Sequence, residues 1–454
     1  MVGALPAVLA QEPDTEIRVI LPWYRAVREK FGKKTERITE YHVQLGWRDQ
    51  HVGLLSLHVG KVQMLFLEND YYFDRGSTYG YYDDGERFAW FSLAATEALR
   101  QLDWFPDVLH CSDWQTALIP LFLSILSRGN RRFGEVRTLL TIHNAEYQGK
   151  APIEFARDVL GLREEDIPVM RWDGAVNFLK TGIVCSDRVN AVSRRYAREL
   201  LDPFYAFGLD RILREQESKL SGIVNGIDTE LYDPRRDPFL TANYSRENPF
   251  AKRENKEALQ RELGLAVRPD IPLLAMVTRL VPHKGIDLVE QAVPALIDDL
   301  SLQFAALGTG EERYENTFRW WSKAYPERFA ARLCFDEPLS RRVYAGADMI
   351  LMPSIQEPCG LTQLVAMRYG AVPIVRKTGG LADTVSPYDP VTGTGLGFVF
   401  ENCDAESLVD AVQRACTVYR DKKCWDRLRR AVMSVDSGWD SSARKYLRLY
   451  RELL

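Results

Sequence analysis

SIQEPCGLTQLVAMRYGAVPIVRKTGG, residues Ser354 to Gly380, is the stretch from which the fold of this chain can be read. It overlaps MILMPS (Met349 to Ser354), an apolar run of the kind that forms a strand buried on both faces of a parallel sheet. Pro358, Gly360 and Thr362 then punctuate the chain ahead of a helix expected over Gln363 to Tyr369, and Gly370 ends it. Ala371 to Val375 supplies the next buried strand, and Thr378, Gly379 and Gly380 repeat the pattern of strand, glycine turn and helix. Helix starts beyond strand ends aim free N–H groups and the positive end of a dipole at a ligand, which suits phosphate or sugar oxygens. Glu357 stands on the first of these turns. Its carboxylate can accept hydrogen bonds from sugar hydroxyls, or it can cap the helix.

The same alternation of short apolar strands and helical stretches runs through nearly the whole chain. One series is Ile17–Leu21, Gln63–Leu67, Asp107–His110, Thr138–Ile142, Arg188–Val192 and Gly222–Val224. A second is Leu273–Val277, Gln303–Leu307, Arg332–Phe335, Met349–Met352, Val372–Val375 and Gly397–Phe400. Such alternation predicts an α/β protein whose parallel sheets are covered by helices on both faces. Asp228 to Lys256, rich in Asp, Pro, Arg and Asn, has no strand pattern and reads as the passage between two domains. The expected division is a first domain over 1–227, a second over 228–436, and an amphipathic terminal helix over 437–454 carrying Trp439, Ala443, Tyr446, Leu447 and Tyr450. Two doubly wound domains in tandem would face each other across a deep cleft suited to large ligands.

Bulk composition agrees with two large domains. With 454 residues, 46% hydrophobic and 27% charged, the chain exceeds a single ordinary core, and its net charge of -4 offers nothing to nucleic acid or an anionic membrane. Small molecules and neutral polymers are the expected partners. Seven scattered cysteines (Cys111, Cys185, Cys334, Cys359, Cys403, Cys416, Cys424) with no C-x-x-C pair suit reduced thiols in a cytoplasmic enzyme. No run reaches the ~18 apolar residues of a membrane span. The opening MVGALPAVLAQE lacks the basic start of a secretory signal, and Pro6 interrupts its apolar run.

Candidate chemistry clusters after strands. Thr278, Arg279 and Leu280, then Pro282, His283, Lys284 and Gly285, follow LLAMV. Two fixed cations beside a glycine meet the need of a departing diphosphate, on whose bridging oxygen charge develops; the plainer alternative is a surface pair facing a carboxylate. His143 and Asn144 end LLTIHN, and Asp113 with Trp114 ends VLHCSDW. An imidazole, an amide, an acid and an indole at neighbouring strand ends read as a carbohydrate site with Trp114 as an apolar platform, against the alternative of a structural histidine. Asn225 in GIVNGID is either an Asx turn or a ligand. The aromatics Tyr71, Tyr72, Phe73, Tyr79, Tyr81 and Tyr82 read as a packed hairpin or loop before a polysaccharide platform. The sequence has no D-x-D pair and no compact His/Asp/Glu cluster, so no metal is expected and the cations take its role.

HCSDWQTALIP, TIHNAEYQG, FLKTGIVCSDRVNAVS, GIVNGID, VTRLVPHKG, EPCGLTQLVAMRYG and TGGLADTV together resemble bacterial glycogen synthase and plant starch synthase, in the family's order from Val2 to the C-terminus. PCGLTQL separates this family from other retaining glycosyltransferases, which often carry a second Glu eight positions after the first; here that position is Val365. The resemblance implies a GT-B type fold of two Rossmann-like domains, ADP-glucose as donor, the non-reducing end of an α-1,4-glucan as acceptor, retention of configuration and no cofactor. By the same resemblance Arg279 and Lys284 hold the phosphates, Glu357 holds the transferring glucose, and His143 stabilises an oxocarbenium-like state. Asp113, Asn144 and Asn225 would line the sugar and acceptor side. Cys359 would belong to the substrate-binding turn; Gly360, Leu361 and Thr362, with Thr378, Gly379 and Gly380, would present backbone amides, and Phe335 stands where an aromatic often lies near adenine. The terminal helix would cross back onto the first domain.

One departure is visible. The family begins with a strand, a K-x-G-G-L-G-D type loop and a helix reading like VGALPKAL, whereas this chain opens inside that helix, at Met1 followed by Val2, Gly3, Ala4, Leu5, Pro6 and Ala7. The expectation is a chain that starts downstream of the true beginning or is a fragment, with a gap in the middle of the first domain's sheet. Two rival readings follow: a glucan-binding relative without donor chemistry, and a transferase using UDP-glucose.

Overall fold

The computed structural model describes residues 3–454; Met1 and Val2, where the family match begins, lie outside the described residues. The chain forms two compact units. One gathers the residues up to Val192, Ala197–Ile223 and Ser442–Leu454; the other comprises Ser193–Tyr196 and Val224–Ser441.

In the second unit six parallel strands make one sheet, in the order Phe329–Arg332, Gln303–Leu307, Leu273–Val277, Met349–Met352, Val372–Arg376, Phe398–Phe400. Numbered along the chain, that order is 3-2-1-4-5-6, the doubly wound arrangement of dinucleotide-binding folds. The central strands are apolar throughout and buried on both faces, as LLAM and MILM require. Helices such as Ile286–Asp298 and Ala405–Arg420 cover them, each burying an apolar stripe that includes Leu, Val and Ala. Sheet order reverses between Leu273–Val277 and Met349–Met352. Ligands of such folds bind outside the carboxyl ends of the strands at that reversal, and the loops there carry Arg279, Lys284 and Glu357.

Two details of this unit differ from the sequence reading. The strand expected at Arg332–Phe335 lies at Phe329–Arg332, because Phe329 and Ala330 are the residues buried in the core. The segment read as the passage between domains, 228–256, is more than a hinge loop and is folded onto the unit. Tyr244 Oη donates to Tyr369 O at 2.8 Å, and the buried Lys252 ammonium donates to the carbonyls of Tyr344, Ala345 and Tyr369 at 2.9–3.0 Å. Burial pushes the Lys252 ammonium well below its usual range.

The first unit has two main sheets. Leu220–Gly222, Arg188–Ala191, Arg137–Ile142 and Val108–Ser112 are parallel neighbours. Arg18–Pro22 pairs in parallel with Val62–Glu68, which continues antiparallel to Arg48–Val59 and then to Glu36–Leu45. The sequence reading did not anticipate that long hairpin. Arg18–Pro22 and Val108–Ser112 each stand at the end of their own sheet, so the strands of the first series do not form one continuous layer. Helix Trp439–Arg451 ends on this unit: Tyr446 Oη accepts from Asn190 Nδ2 at 3.0 Å, and Tyr450 Oη lies 2.8 Å from His110 Nδ1. No helix of the described residues is long and apolar enough to cross a membrane.

Candidate active site

In the second unit, Leu273–Val277 leads into a loop that turns back through the short helix Pro282–Lys284. Gly285 has a left-handed φ of 72°, and a Cβ there would lie 2.2 Å from Pro353 O, so only glycine permits the approach of the neighbouring strand's exit. The carbonyl of His283 accepts the Ile355 amide at 2.9 Å, pinning the two loops together. Lys284 is thereby aimed at Glu357. Its Nζ lies 2.7 Å from Glu357 Oε2, and Ser354 Oγ donates to the same oxygen at 2.9 Å. Both bonds fall on Oε2, so Oε1 of this buried carboxylate is open to a further donor.

The turn after Glu357 is held from below by Gln363, which is fully buried and donates to Cys359 O at 3.1 Å, Gly360 O at 2.9 Å and Thr384 Oγ1 at 3.1 Å. Gly360 takes a φ of 69°, and a Cβ would strike the Gln363 amide. Held this way, the turn presents the N–H groups of Gly360, Leu361 and Thr362, which donate to no acceptor among the described residues. The second glycine turn behaves differently. Thr378 N–H donates to Arg376 O at 2.9 Å, and Gly380 N–H to Glu357 O at 3.0 Å and Pro358 O at 3.2 Å. The amides of Thr378 and Gly380 are therefore spent inside the protein, correcting the expectation that this turn offers them to a ligand. Gly379 and Gly380 also permit close packing, since Cβ atoms there would lie 1.9 Å from Glu357 O and 1.8 Å from Cys359 O.

Asn225 comes to the same turn. Its backbone N–H bonds to the buried Cys359 thiol, which burial pushes up to about 12, and its own Oδ1 is buried without a partner among the described residues. Arg279 is exposed, and its guanidinium pairs with no carboxylate among the described residues. Its loop packs on Gly308–Gly310: Leu280 N–H donates to Thr309 O at 3.0 Å, and Cβ atoms on Gly308 or Gly310 would overlap the carbonyls of Thr278 and Leu280. The signal for that turn, G-T-G directly after a strand, was available in the sequence and unused. Phe335 follows the outermost strand of the sheet and is 92% exposed.

In the first unit, Asp113 follows the strand Val108–Ser112 with a left-handed φ of 56°. Its Oδ1 accepts the backbone N–H of His143 at 2.7 Å and of Asn144 at 3.4 Å. Burial pushes the Asp113 carboxyl up, while the His143 imidazole and those amides pull it back. Burial pushes the His143 imidazole down against the opposing pull of Asp113, leaving it neutral near pH 7. No side chain of the described residues hydrogen-bonds that ring. Asn144 closes an Asx turn, its Oδ1 accepting Glu146 N–H at 3.0 Å. Trp114 is packed edge-on by Phe88 with centroids 5.1 Å apart, and a Cβ on Gly149 would strike its ring. The indole, read from the sequence as a sugar platform, is half-buried and held by these contacts.

Residues 1–215 match the starch synthase catalytic domain family, and residues 260–426 match glycosyl transferases group 1. The glycogen synthase of Ligilactobacillus salivarius (strain UCC118) is 42% identical over 460 residues, covering 100% of this chain and 96% of that protein. The chain belongs to the glycogen/starch synthase family. A second family member, the glycogen synthase of Bacillus cereus (strain Q1), is 42% identical over 454 residues, with 100% of this chain and 95% of that protein covered. Among solved structures, the catalytic domain of starch synthase IV from Arabidopsis thaliana, bound to ADP and acarbose, aligns with a TM-score of 0.89 at 34% identity, over 100% of this chain and 94% of that one. Sucrose-phosphate synthase from Thermosynechococcus elongatus aligns with a TM-score of 0.56 at 18% identity over 88% and 85% of the two chains, a likeness of fold alone. As a member of the glycogen/starch synthase family, with its GT-B type fold, the chain is a glucosyltransferase of glycogen or starch synthesis.

Proposed function

We propose that the chain moves glucose from ADP-glucose to the non-reducing end of an α-1,4-glucan, with retention at the anomeric carbon and without a metal ion. The observation that carries this reading is the Lys284–Glu357–Ser354 cluster at the sheet-order reversal, with one carboxylate oxygen open and free amides beside it. Glu357 Oε1 accepts a hydroxyl of the transferring glucose. The ammonium of Lys284, with one N–H on Glu357, has two more for the diphosphate. Arg279, paired with no carboxylate among the described residues and always charged, takes the growing charge on the bridging oxygen as the C1–O bond breaks. His143, neutral, meets the positive charge at the anomeric carbon without adding repulsion, and Asp113 fixes the loop that carries it. The starch synthase IV relative was captured with ADP and acarbose, a nucleotide and an oligosaccharide, which supports the same two ligand classes here. The free cysteines support a reducing, cytoplasmic setting.

Incubation with labelled ADP-glucose or UDP-glucose and glycogen tests the reading. Transfer from ADP-glucose should exceed transfer from UDP-glucose at equal concentration, and excess EDTA should leave the rate within about twofold, since Arg279 and Lys284 supply the cations. Preference for UDP-glucose would reassign the donor. Glycogen binding with no transfer from either donor would make the chain a glucan binder.

A further inference from the structure

His143 stands on the loop 143–149, between the strand Arg137–Ile142 and the two-residue strand Lys150–Ala151. Its ring has no side-chain hydrogen bond among the described residues, so the backbone beneath it sets where the imidazole lies. Asp113 holds that backbone at one point, through the N–H groups of His143 and Asn144. A second hold comes from within the loop. Gln148 is buried, and its Nε2 donates to Ala145 O at 3.0 Å and to Phe207 O at 2.9 Å. Its Oε1 accepts from Asn177 Nδ2 at 2.7 Å. With the amide nitrogen on two carbonyl oxygens and the amide oxygen on a donor, the carboxamide has only one orientation.

The partners of that carboxamide are themselves fixed. Asn177 is fully buried and caps the helix Phe178–Cys185, its Oδ1 accepting Lys180 N–H at 3.0 Å. The carbonyl of Gln148 accepts Leu179 N–H from the same helix, also at 3.0 Å. Phe207 is the unusual partner. It follows the short helix Pro203–Ala206 with φ 52° and ψ 39°, a left-handed backbone that crowds a bulky side chain. Every other non-glycine residue with positive φ among the described residues is Asp, Ser or Glu. Such strain persists only where the surroundings hold it. Two side-chain bonds hold this turn: Gln148 Nε2 on Phe207 O, and Trp172 Nε1 on Gly208 O at 2.9 Å.

A buried carboxamide bonded to backbone serves folding alone wherever the loop it braces carries no chemistry. Here the braced carbonyl of Ala145 lies two residues from His143, and the far end of the brace is a strained turn outside that loop. We propose that Gln148 is a positioning residue of the transfer reaction: by tying Ala145 to Phe207 it fixes where His143 stands in the first unit while charge develops at the anomeric carbon. This rests on His143 acting in glucose transfer from ADP-glucose. The hydrogen-bond partners of the Gln148 carboxamide all lie in the first unit, so donor binding by Lys284 and Glu357 in the second does not depend on it.

Two substitutions of similar size separate the hydrogen bonds from the volume. Gln148→Met fills the space and removes all three carboxamide bonds. Gln148→Glu keeps an acceptor for Asn177; ionised it can donate to neither carbonyl, and protonated it can donate to one. Rates with ADP-glucose and glycogen are measured on the full chain, at a temperature where circular dichroism shows both variants folded. At pH 8 kcat should fall by about tenfold or more in each variant, with KM for ADP-glucose within about twofold of the wild-type value. The deficit of Gln148→Glu should shrink by about threefold or more between pH 8 and pH 6, as the buried carboxyl takes up a proton, while that of Gln148→Met stays constant. Lowered melting temperatures with unchanged kcat would overturn the proposal and leave Gln148 a packing residue. A rise in KM for ADP-glucose that accounts for the loss would overturn it too, as would a pH-independent deficit in Gln148→Glu. A wild-type chain that transferred glucose from neither ADP-glucose nor UDP-glucose would overturn the reading of the reaction, and the proposal with it.

Discussion

Glu357 receives two hydrogen bonds on one oxygen and none from a side chain on the other, an asymmetry that sets what each partner contributes. Replacing it by Gln keeps the shape, removes the charge that balances Lys284, and presents an amide where an acceptor is needed. Glu357→Gln should lower kcat with ADP-glucose and glycogen by about 10²–10³, the cost usual for losing one group that stabilises a transition state. Ser354→Ala removes only the orienting bond and should cost about tenfold, on the order of 1 kcal/mol. Steady-state rates of the two purified variants check this, and a larger loss for Ser354→Ala would mean the serine contacts substrate. Glu357 and Lys284, which the structure brings together, were legible because they sit in short motifs after apolar strands. Ser354 and Gln363 were not, since a serine at a strand end and a glutamine in a helix acquire meaning only from the atoms they meet in three dimensions.

At the scale of elements, the six-stranded sheet was legible because parallel strands buried on both faces read as unbroken apolar runs. The hairpin Glu36–Leu45/Arg48–Val59 was missed for the converse reason. Its first strand buries only Tyr41, Val43 and Leu45 in alternation, so no apolar run marks it. The glycine turns misled in another way. Gly379 and Gly380 follow a strand as phosphate-binding glycines do, yet Gly380 is where the chain at Cys359 passes within reach of a Cβ. Gly380→Ala would force the PCGL turn and the Thr378 turn apart, at about 1–3 kcal/mol of stability or more. Activity should fall beyond tenfold, because the Gly360–Thr362 amides move with the turn. Gly129→Ala is the control: the nearest atom to its Cβ is 3.8 Å away, so stability and rate should hold. Thermal melts and initial rates of the two variants decide it; a benign Gly380→Ala would show that the turns can separate without harm.

For the whole molecule, the last helix is tied to the first unit through a histidine that burial keeps neutral at neutral pH. His110 Nδ1 lies 2.8 Å from Tyr450 Oη and Nε2 lies 2.7 Å from Thr141 Oγ1, and burial pushes the imidazole down to about 3. Between about pH 6.5 and pH 3 the unfolded chain binds a proton at this residue that the folded chain does not. Its contribution to stability is therefore full above pH 6.5 and is lost as pH falls, at up to roughly 1.4 kcal/mol per unit. His143, also pushed down by burial, acts with the same sign. Asp113 and Glu97, whose carboxyls burial pushes up, act with the opposite sign, because the folded chain takes up their protons first. His110→Phe separates the one term from the others: it removes the titration and leaves Tyr450 and Thr141 without their partner. In urea unfolding the variant should be less stable than the wild-type chain at pH 7.5, and the gap should narrow by about 2 kcal/mol at pH 5, where the wild-type chain has lost part of this term. A gap that stays constant would mean His110 titrates alike in both states, and the terminal helix would then owe nothing to its neutrality.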